Sequence, residues 1–131
     1  MIVIDTHVLI WWLTDASQLS AKARRTLTVE AKQEGIVASA ISVLEIATAA
    51  RRGRLHLAMP VDAWLADTRS LPELRYEPVS GEIAQMAGSF GDEMHGDPAD
   101  RIIAATAIVL NAPLVTADAK LRTVKTVKTI W

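Results

Sequence analysis

Residues 97–118, Asp-Pro-Ala-Asp-Arg-Ile-Ile-Ala-Ala-Thr-Ala-Ile-Val-Leu-Asn-Ala-Pro-Leu-Val-Thr-Ala-Asp, constrain this chain more than any other stretch. They read as acid, helix, strand, acid. Pro98 suits the first helical position, where its missing N–H costs nothing, and Asp97 suits the N-cap before it. From Ile102 to Leu110 almost every residue is apolar, and a helix that is apolar all round is a buried one. Asn111-Ala112-Pro113 ends it, because the residue before a proline is pushed out of the α region. Leu114-Val115-Thr116 then reads as a short strand buried on both faces. Asp100 and Asp118 border this core segment, so they are not expected to be plain surface charges.

The rest of the chain alternates in the same way. Ile2-Val3-Ile4 is a short strand ending in Asp5, and Thr6 can cap a helix from His7 to Leu13. Ser20 caps a second helix to about Glu34, with Gly35 as its stop. Ile36-Val37-Ala38 is a second strand, and Ser39 or Ser42 caps a third helix that ends at Arg51, Arg52 and Gly53. Pro60 opens a fourth helix to about Ser70. Residues 74–79 form a weaker strand whose Pro78 suggests an edge or a strand end. Ser80 caps a fifth helix, Glu82 to Phe90, and 91–96 is a polar loop. One helical turn, Ala119 to Leu121, follows Asp118. Val124 to Trp131 is extended, with Lys125 and Lys128 discouraging edge pairing. Such alternation predicts an α/β fold with a short, mostly parallel sheet covered on both faces.

Composition narrows the function classes. At 131 residues the chain suits a single domain over 1–131. Half of it is apolar and 22% is charged, so it is globular rather than disordered. The absence of cysteine excludes a disulfide, a thiolate zinc site and a cysteine nucleophile. The longest apolar run is too short to span a membrane, and Met1-Ile2-Val3-Ile4-Asp5 has no signal-peptide form. A cytoplasmic protein without membrane contact is expected. The formal net charge is −1, so a nucleic-acid partner needs a local basic patch or a metal to be attracted.

Four carboxylates occupy matching points of the pattern. Asp5 and Asp118 lie just past strand ends, while Glu45 and Asp100 are expected in the first turns of helices on that same side. Ligands of open α/β sheets bind outside the carboxyl ends of the strands, so topology can bring the four together. Each also has an ordinary explanation: Ser42-Val43-Leu44-Glu45 has the form of a capping box, Asp100 suits a helix dipole, and Asp118 can cap the turn after it. Converging without a fixed lysine or arginine, the four would repel one another unless a cation neutralised them. Hard oxygen donors suit Mg²⁺ or Mn²⁺. Asp97, three residues before Asp100, is a further candidate ligand.

Ile-Val-Ile-Asp-Thr (2–6), Ser-Val-Leu-Glu-Ile (42–46), Asp-Pro-Ala-Asp-Arg-Ile-Ile-Ala-Ala-Thr-Ala (97–107) and Leu-Val-Thr-Ala-Asp (114–118) together resemble the PIN-domain proteins. Within that group they resemble the VapC toxins of type II toxin–antitoxin pairs. The resemblance spans essentially the whole chain, in order. It implies a three-layer α/β/α domain and a metal-dependent endoribonuclease that hydrolyses RNA phosphodiesters with Asp5, Glu45, Asp100 and Asp118. It also implies a homodimer and a cognate antitoxin that enters the active-site groove.

The remaining candidate residues differ in their surroundings. Thr6 and Thr116 are expected to support neighbouring acids through hydrogen bonds. Arg51, Arg52 and Arg54 suit the negative end of the third helix, yet they can also hold phosphates or antitoxin carboxylates, as can Lys120 and Arg122. Arg101 reads as an outward helix residue or a dimer contact, and His95 as a surface histidine able to meet RNA. His7 and His56 have no metal-ligand spacing. Trp11 and Trp12 cannot both face inward on one helix stripe, so one suits a dimer or partner surface. Three other readings fit parts of the pattern. A receiver-like phosphate-accepting module lacks its aspartate after residues 36–38, and a haloacid-dehalogenase-like phosphatase lacks its second acid in Asp5-Thr6-His7. A PIN nuclease of RNA maturation differs from a toxin only in its partner and target.

Overall fold

The apolar helix predicted after Asp100 exists, and its surroundings explain its composition. In the computed structural model, which describes residues 1–94 and 96–131, α6 (Pro98–Val109) lies between the sheet and another helix, α5 (Gly81–Ser89). Ile103, Ala104 and Ala107 pack toward the sheet residues Val3, Val37 and Leu114. Ala105 packs the other way, against Ile83 and Ala87. With one neighbour inside and one outside, this helix has little face left for water.

Among the described residues the sheet has five strands in the order β3-β2-β1-β4-β5, all parallel: β1 (Ile2–Ile4), β2 (Ile36–Ser39), β3 (Leu74–Glu77), β4 (Leu114–Val115) and β5 (Thr129–Ile130). Alternation along β1 divides the core. Ile2 and Ile4 face α1 (Thr6–Thr14), α2 (Ala21–Ala31), α3 (Ala40–Arg51) and α4 (Val61–Arg69), through Leu9, Leu27, Ile46 and Leu65. Val3 faces α6 and α7 (Ala119–Arg122), through Ile103 and Leu121. The result is the expected three-layer α/β/α arrangement, with Pro78 just past edge strand β3. Among the described residues no helix is long and apolar enough to cross a membrane.

This strand order carries the functional information. From β1 the chain moves outward to β2 and β3, then returns to place β4 on the opposite side of β1. The strand order reverses between β1 and β4, and the crevice at their carboxyl ends is where such sheets bind ligands.

The end of α6 differs from the sequence expectation. Its terminator is Asn111 rather than the proline: Asn111 sits at φ 52°. The Asn111 N–H reaches the Ile108 carbonyl at 3.0 Å and the Ala112 N–H reaches Ala107 at 3.0 Å. That paired bond pattern is a Schellman motif, which asparagine tolerates better than most residues. Asn111→Val is therefore expected to cost about 1–2 kcal/mol in urea unfolding, whereas Asn111→Gly should be neutral or slightly stabilising. Equal stability of the two variants would contradict this assignment.

Candidate functional site

Asp5 leaves β1 directly at the switch point. It is 6% exposed, and it, not Thr6, is the N-cap of α1: its Oδ1 accepts the Val8 N–H at 2.8 Å. Its Oδ2 accepts the hydroxyl of Thr116, the residue after β4. The Thr116 Oγ1 in turn accepts the Asp118 N–H at 3.0 Å. One buried threonine thus ties together the acids that follow the two strands. Asp118 also caps α7, accepting the Lys120 N–H at 2.8 Å.

Glu45 does not belong to a capping box. The helix begins at Ala40 with Ser39 as its cap, so Glu45 is its sixth residue and lies beyond the first turn. Ser42 lies inside the helix, fully buried. Both side chains turn instead to Thr6, which no longer serves as a cap. The Thr6 hydroxyl donates to Glu45 Oε1 at 2.5 Å and lies 2.8 Å from Ser42 Oγ. A hydroxyl has one proton to give. With the Thr6 proton on Glu45, Ser42 must be the donor to Thr6, and the chain Ser42–Thr6–Glu45 has a direction.

Asp97 caps α6, as expected, through the N–H groups of Ala99 at 2.9 Å and Asp100 at 3.4 Å. Asp100 is half-buried in the first turn. Arg101 departs from its expected role, because it is neither an outward residue nor a free surface for a dimer. Its guanidinium donates to the carbonyls of Ala87, Phe90 and Met94 and lies over the Phe90 ring. It fastens the end of α5, and the loop after it, to the helix that carries Asp100. The expectation for His95 lies outside the described residues.

Asp5, Glu45, Asp97, Asp100 and Asp118 line one cleft, together with Thr6, His7, Trp11 and Ala117. No lysine or arginine lines it among the described residues. The cleft has a volume of about 370 Å³, ample for a cation with its waters. Burial pushes the Asp5 carboxyl above its ordinary value of 3.8, against the opposing pull of the Thr116 and Val8 hydrogen bonds and of His7; the charge of Asp118 pushes it further up. Every carboxylate here is a hard oxygen donor, the chemistry that Mg²⁺ and Mn²⁺ prefer. Among the described residues no three His, Asp or Glu side chains form a ready-made metal cage. A cation held by one or two carboxylates and its own waters, as Mg²⁺ commonly is, requires none.

The basic candidates lie elsewhere. Arg51, Arg52 and Arg54 are exposed at the far end of α3. Arg51 is six residues beyond Glu45, about 9 Å along the axis, and lines a different recess, with His56 and Met59. Arg122 lines a third recess with Lys22 and Trp131, and Lys120 is exposed beside Asp118. Trp11 and Trp12 are both half-buried against the same core cluster, so neither is wholly given to a surface. The sequence reading missed His7 and Trp11 as cleft residues and Ser42 as a partner of Thr6. The four-residue spacing of His7 and Trp11, just after Asp5, was the available signal for the first two.

The raised pKa of Asp5 has a stability consequence of definite sign. Folded protein holds the proton more tightly than unfolded chain, so ionised Asp5 destabilises the fold, fully so above its folded pKa and not at all below 3.8. Asn at this position can keep the Val8 bond and donate to Thr116. Without added cation, Asp5→Asn is therefore expected to melt at or above the wild-type temperature at pH 7, with the difference closing toward pH 4. A variant melting several degrees lower at pH 7 would show that the ionised carboxylate stabilises the empty fold.

Comparison with known proteins agrees with this picture. The profile of the PIN domain matches residues 2–127. Ribonuclease VapC22 of Mycobacterium tuberculosis is 36% identical over 121 residues, spanning 92% of this chain and 89% of that protein. Among solved structures, VapBC2 from Rickettsia felis bound to a DNA fragment from their promoter aligns with a TM-score of 0.72 at 20% identity, over 99% of this chain and 98% of that one. A toxin-antitoxin complex from Klebsiella pneumoniae aligns with a TM-score of 0.65 at 18% identity, over 100% and 97%. At those identities the solved structures speak for the fold alone. The profile, covering nearly the whole chain, and the relative at 36% identity carry the conclusion that the chain belongs to the PIN domain family.

Proposed function

We propose that this protein is a metal-dependent endoribonuclease acting as the toxin of a type II toxin–antitoxin pair. The observation that carries the reading is the gathering of five carboxylates around one cleft at the reversal of the sheet, with no lining lysine or arginine among the described residues. Such a cleft repels a phosphodiester unless a cation stands between them. The likeness to a ribonuclease of the VapC group supports RNA as the substrate. A protein inhibitor as partner fits the VapC name of that relative, and a neighbour of the same fold is a toxin-antitoxin complex. Membership of the PIN family displaces the receiver-like alternative. A PIN nuclease of RNA maturation differs by the absence of an antitoxin, and a small antitoxin reading frame beside the gene decides between them.

In this reading Asp5, Asp100 and Asp118 would hold Mg²⁺ or Mn²⁺, with Glu45 and Asp97 as further oxygen donors. A divalent cation there would supply Lewis acidity, for activating water and for stabilising charge on the phosphoryl oxygens. Thr116 fixes the facing oxygen of Asp5 and sets the Asp118 backbone. Thr6 holds Glu45 by Oε1, which leaves Oε2 to orient the attacking water or accept its proton. Asp97 and the α6 N-terminus set Asp100 in place, and Arg101 holds the preceding segment. The chain is proposed to pair as a two-fold homodimer. An antitoxin arginine reaching the carboxylates would oppose the cation directly, since its fork matches them bidentately.

Because Glu45 is not a cap, Glu45→Gln should leave the melting temperature within about 1 °C while lowering RNA turnover in Mg²⁺ by roughly 10²-fold or more, the scale of a lost general base. Rates from a labelled RNA and a parallel melt test this. Near-normal turnover would remove Glu45 from the chemistry, and a large loss of stability would return it to a structural role.

A further inference from the structure

Three features of the same face have no part in the chemistry proposed above. His7 and Trp11 stand one turn apart on α1 and both line the acidic cleft. Their ring centroids are 5.6 Å apart, with planes inclined at 45°. His7 is exposed and Trp11 is half-buried, so both present ring surface to the solvent side of the cleft. Trp131 meets Trp11 at 6.1 Å and 50°. Trp131 also lines the neighbouring recess, together with Lys22 and Arg122. Both cations are exposed, and neither enters an ion pair among the described residues. Two indole rings therefore bridge a carboxylate cleft and a basic recess that are far apart in sequence.

We propose that the cleft, the Trp11–Trp131 pair and the Lys22–Arg122 recess form one continuous track for single-stranded RNA. The ligand rests on the ribonuclease reading; the juxtaposition does not. The phosphodiester to be cut lies among the carboxylates, the base of an adjoining nucleotide lies on the indole pair, and the phosphates beyond it meet Lys22 and Arg122. Charge favours such an arrangement. A chain of net charge −1 with an acidic cleft has no general attraction for RNA, so affinity must come from local cations and from contacts to the bases. Aromatic side chains stack with any base, and this favours unpaired strands, because the bases of a duplex are already stacked and paired.

The test is fluorescence anisotropy with a 5′-labelled, unstructured twelve-nucleotide RNA in Ca²⁺, beside cleavage of the same RNA in Mg²⁺. Trp11→Leu should weaken binding roughly 5- to 150-fold, the usual range for one lost stacking partner, while Trp11→Phe keeps a ring there and should recover most of it. Lys22→Glu and Arg122→Glu, both at exposed positions that leave the fold intact, should each weaken binding. Each should also flatten the slope of log K against log salt by about 0.7, the share of one single-strand phosphate contact. The same sequence annealed into a duplex should respond much less to Trp11→Leu. Unchanged affinity and slope in both charge reversals, or equal affinity of Trp11→Leu and wild type, would overturn the track. The two readings fail separately: wild type that cleaves while all four variants bind normally leaves a ribonuclease without this track. Wild type that binds through these residues but does not cleave leaves the track without the ribonuclease.

Discussion

A carboxylate almost out of water is costly, and the fold around residue 5 is arranged to hold one. Asp5 ends a strand covered on both sides, so it cannot turn outward without leaving the sheet. Two hydrogen bonds, from Val8 and from Thr116, hold its oxygens where they are, and burial still drives its pKa up. The Thr116 bond is possible only because β4 lies beside β1, with Ile4 opposite Val115. That pairing, in turn, requires the chain to come back across the sheet after β3. The position of the site and the order of the strands are therefore one constraint seen twice.

The outer layers serve the same end. α6 has to bring Asp100 to the carboxyl end of the sheet while passing through the core, which is why its body is nearly featureless alanine and isoleucine. Its second covering, α5, and the Arg101 guanidinium on the carbonyls of Ala87, Phe90 and Met94 fasten the approach to it. A cation on buried-side carbonyls gives three charge-assisted bonds from one residue. Met94, buried in the core cluster beside Val3 and Ile103, anchors the same segment from inside.

The sequence conveyed the order of elements, the buried helix and the side of the sheet on which the acids gather. These follow from periodicity, from cap residues and from the rule that parallel sheets bind at their carboxyl ends. It misled wherever a local pattern competed with a contact made across the fold. Ser42-Val43-Leu44-Glu45 matches a capping box residue for residue, but Ser39 starts the helix earlier, and Ser42 and Glu45 both turn to Thr6, more than thirty residues away. Thr6 looks like a helix cap for the same reason and is not one, since Asp5 takes the Val8 N–H. Arg101 follows an acid on a helix and reads as exposed; only the position of α5 shows the carbonyls it serves. Arg51, Arg52 and Arg54 are near Glu45 in sequence, but an α-helix carries them away from the cleft. Trp11 and Trp131, at opposite ends of the sequence, meet only because β5 adds beside β4.

The proposed chemistry depends on a divalent cation held by the cleft carboxylates. Electron paramagnetic resonance of Mn²⁺ titrated into the purified protein measures this without reference to turnover, by the loss of the free-ion signal. Wild type is predicted to bind Mn²⁺ saturably and to release it to excess Mg²⁺, while Asp5→Asn and Asp100→Asn, folded by circular dichroism, bind at least tenfold more weakly. Equal Mn²⁺ binding by wild type and both variants would contradict the account, because the carboxylates that the fold gathers would then not be what holds the metal.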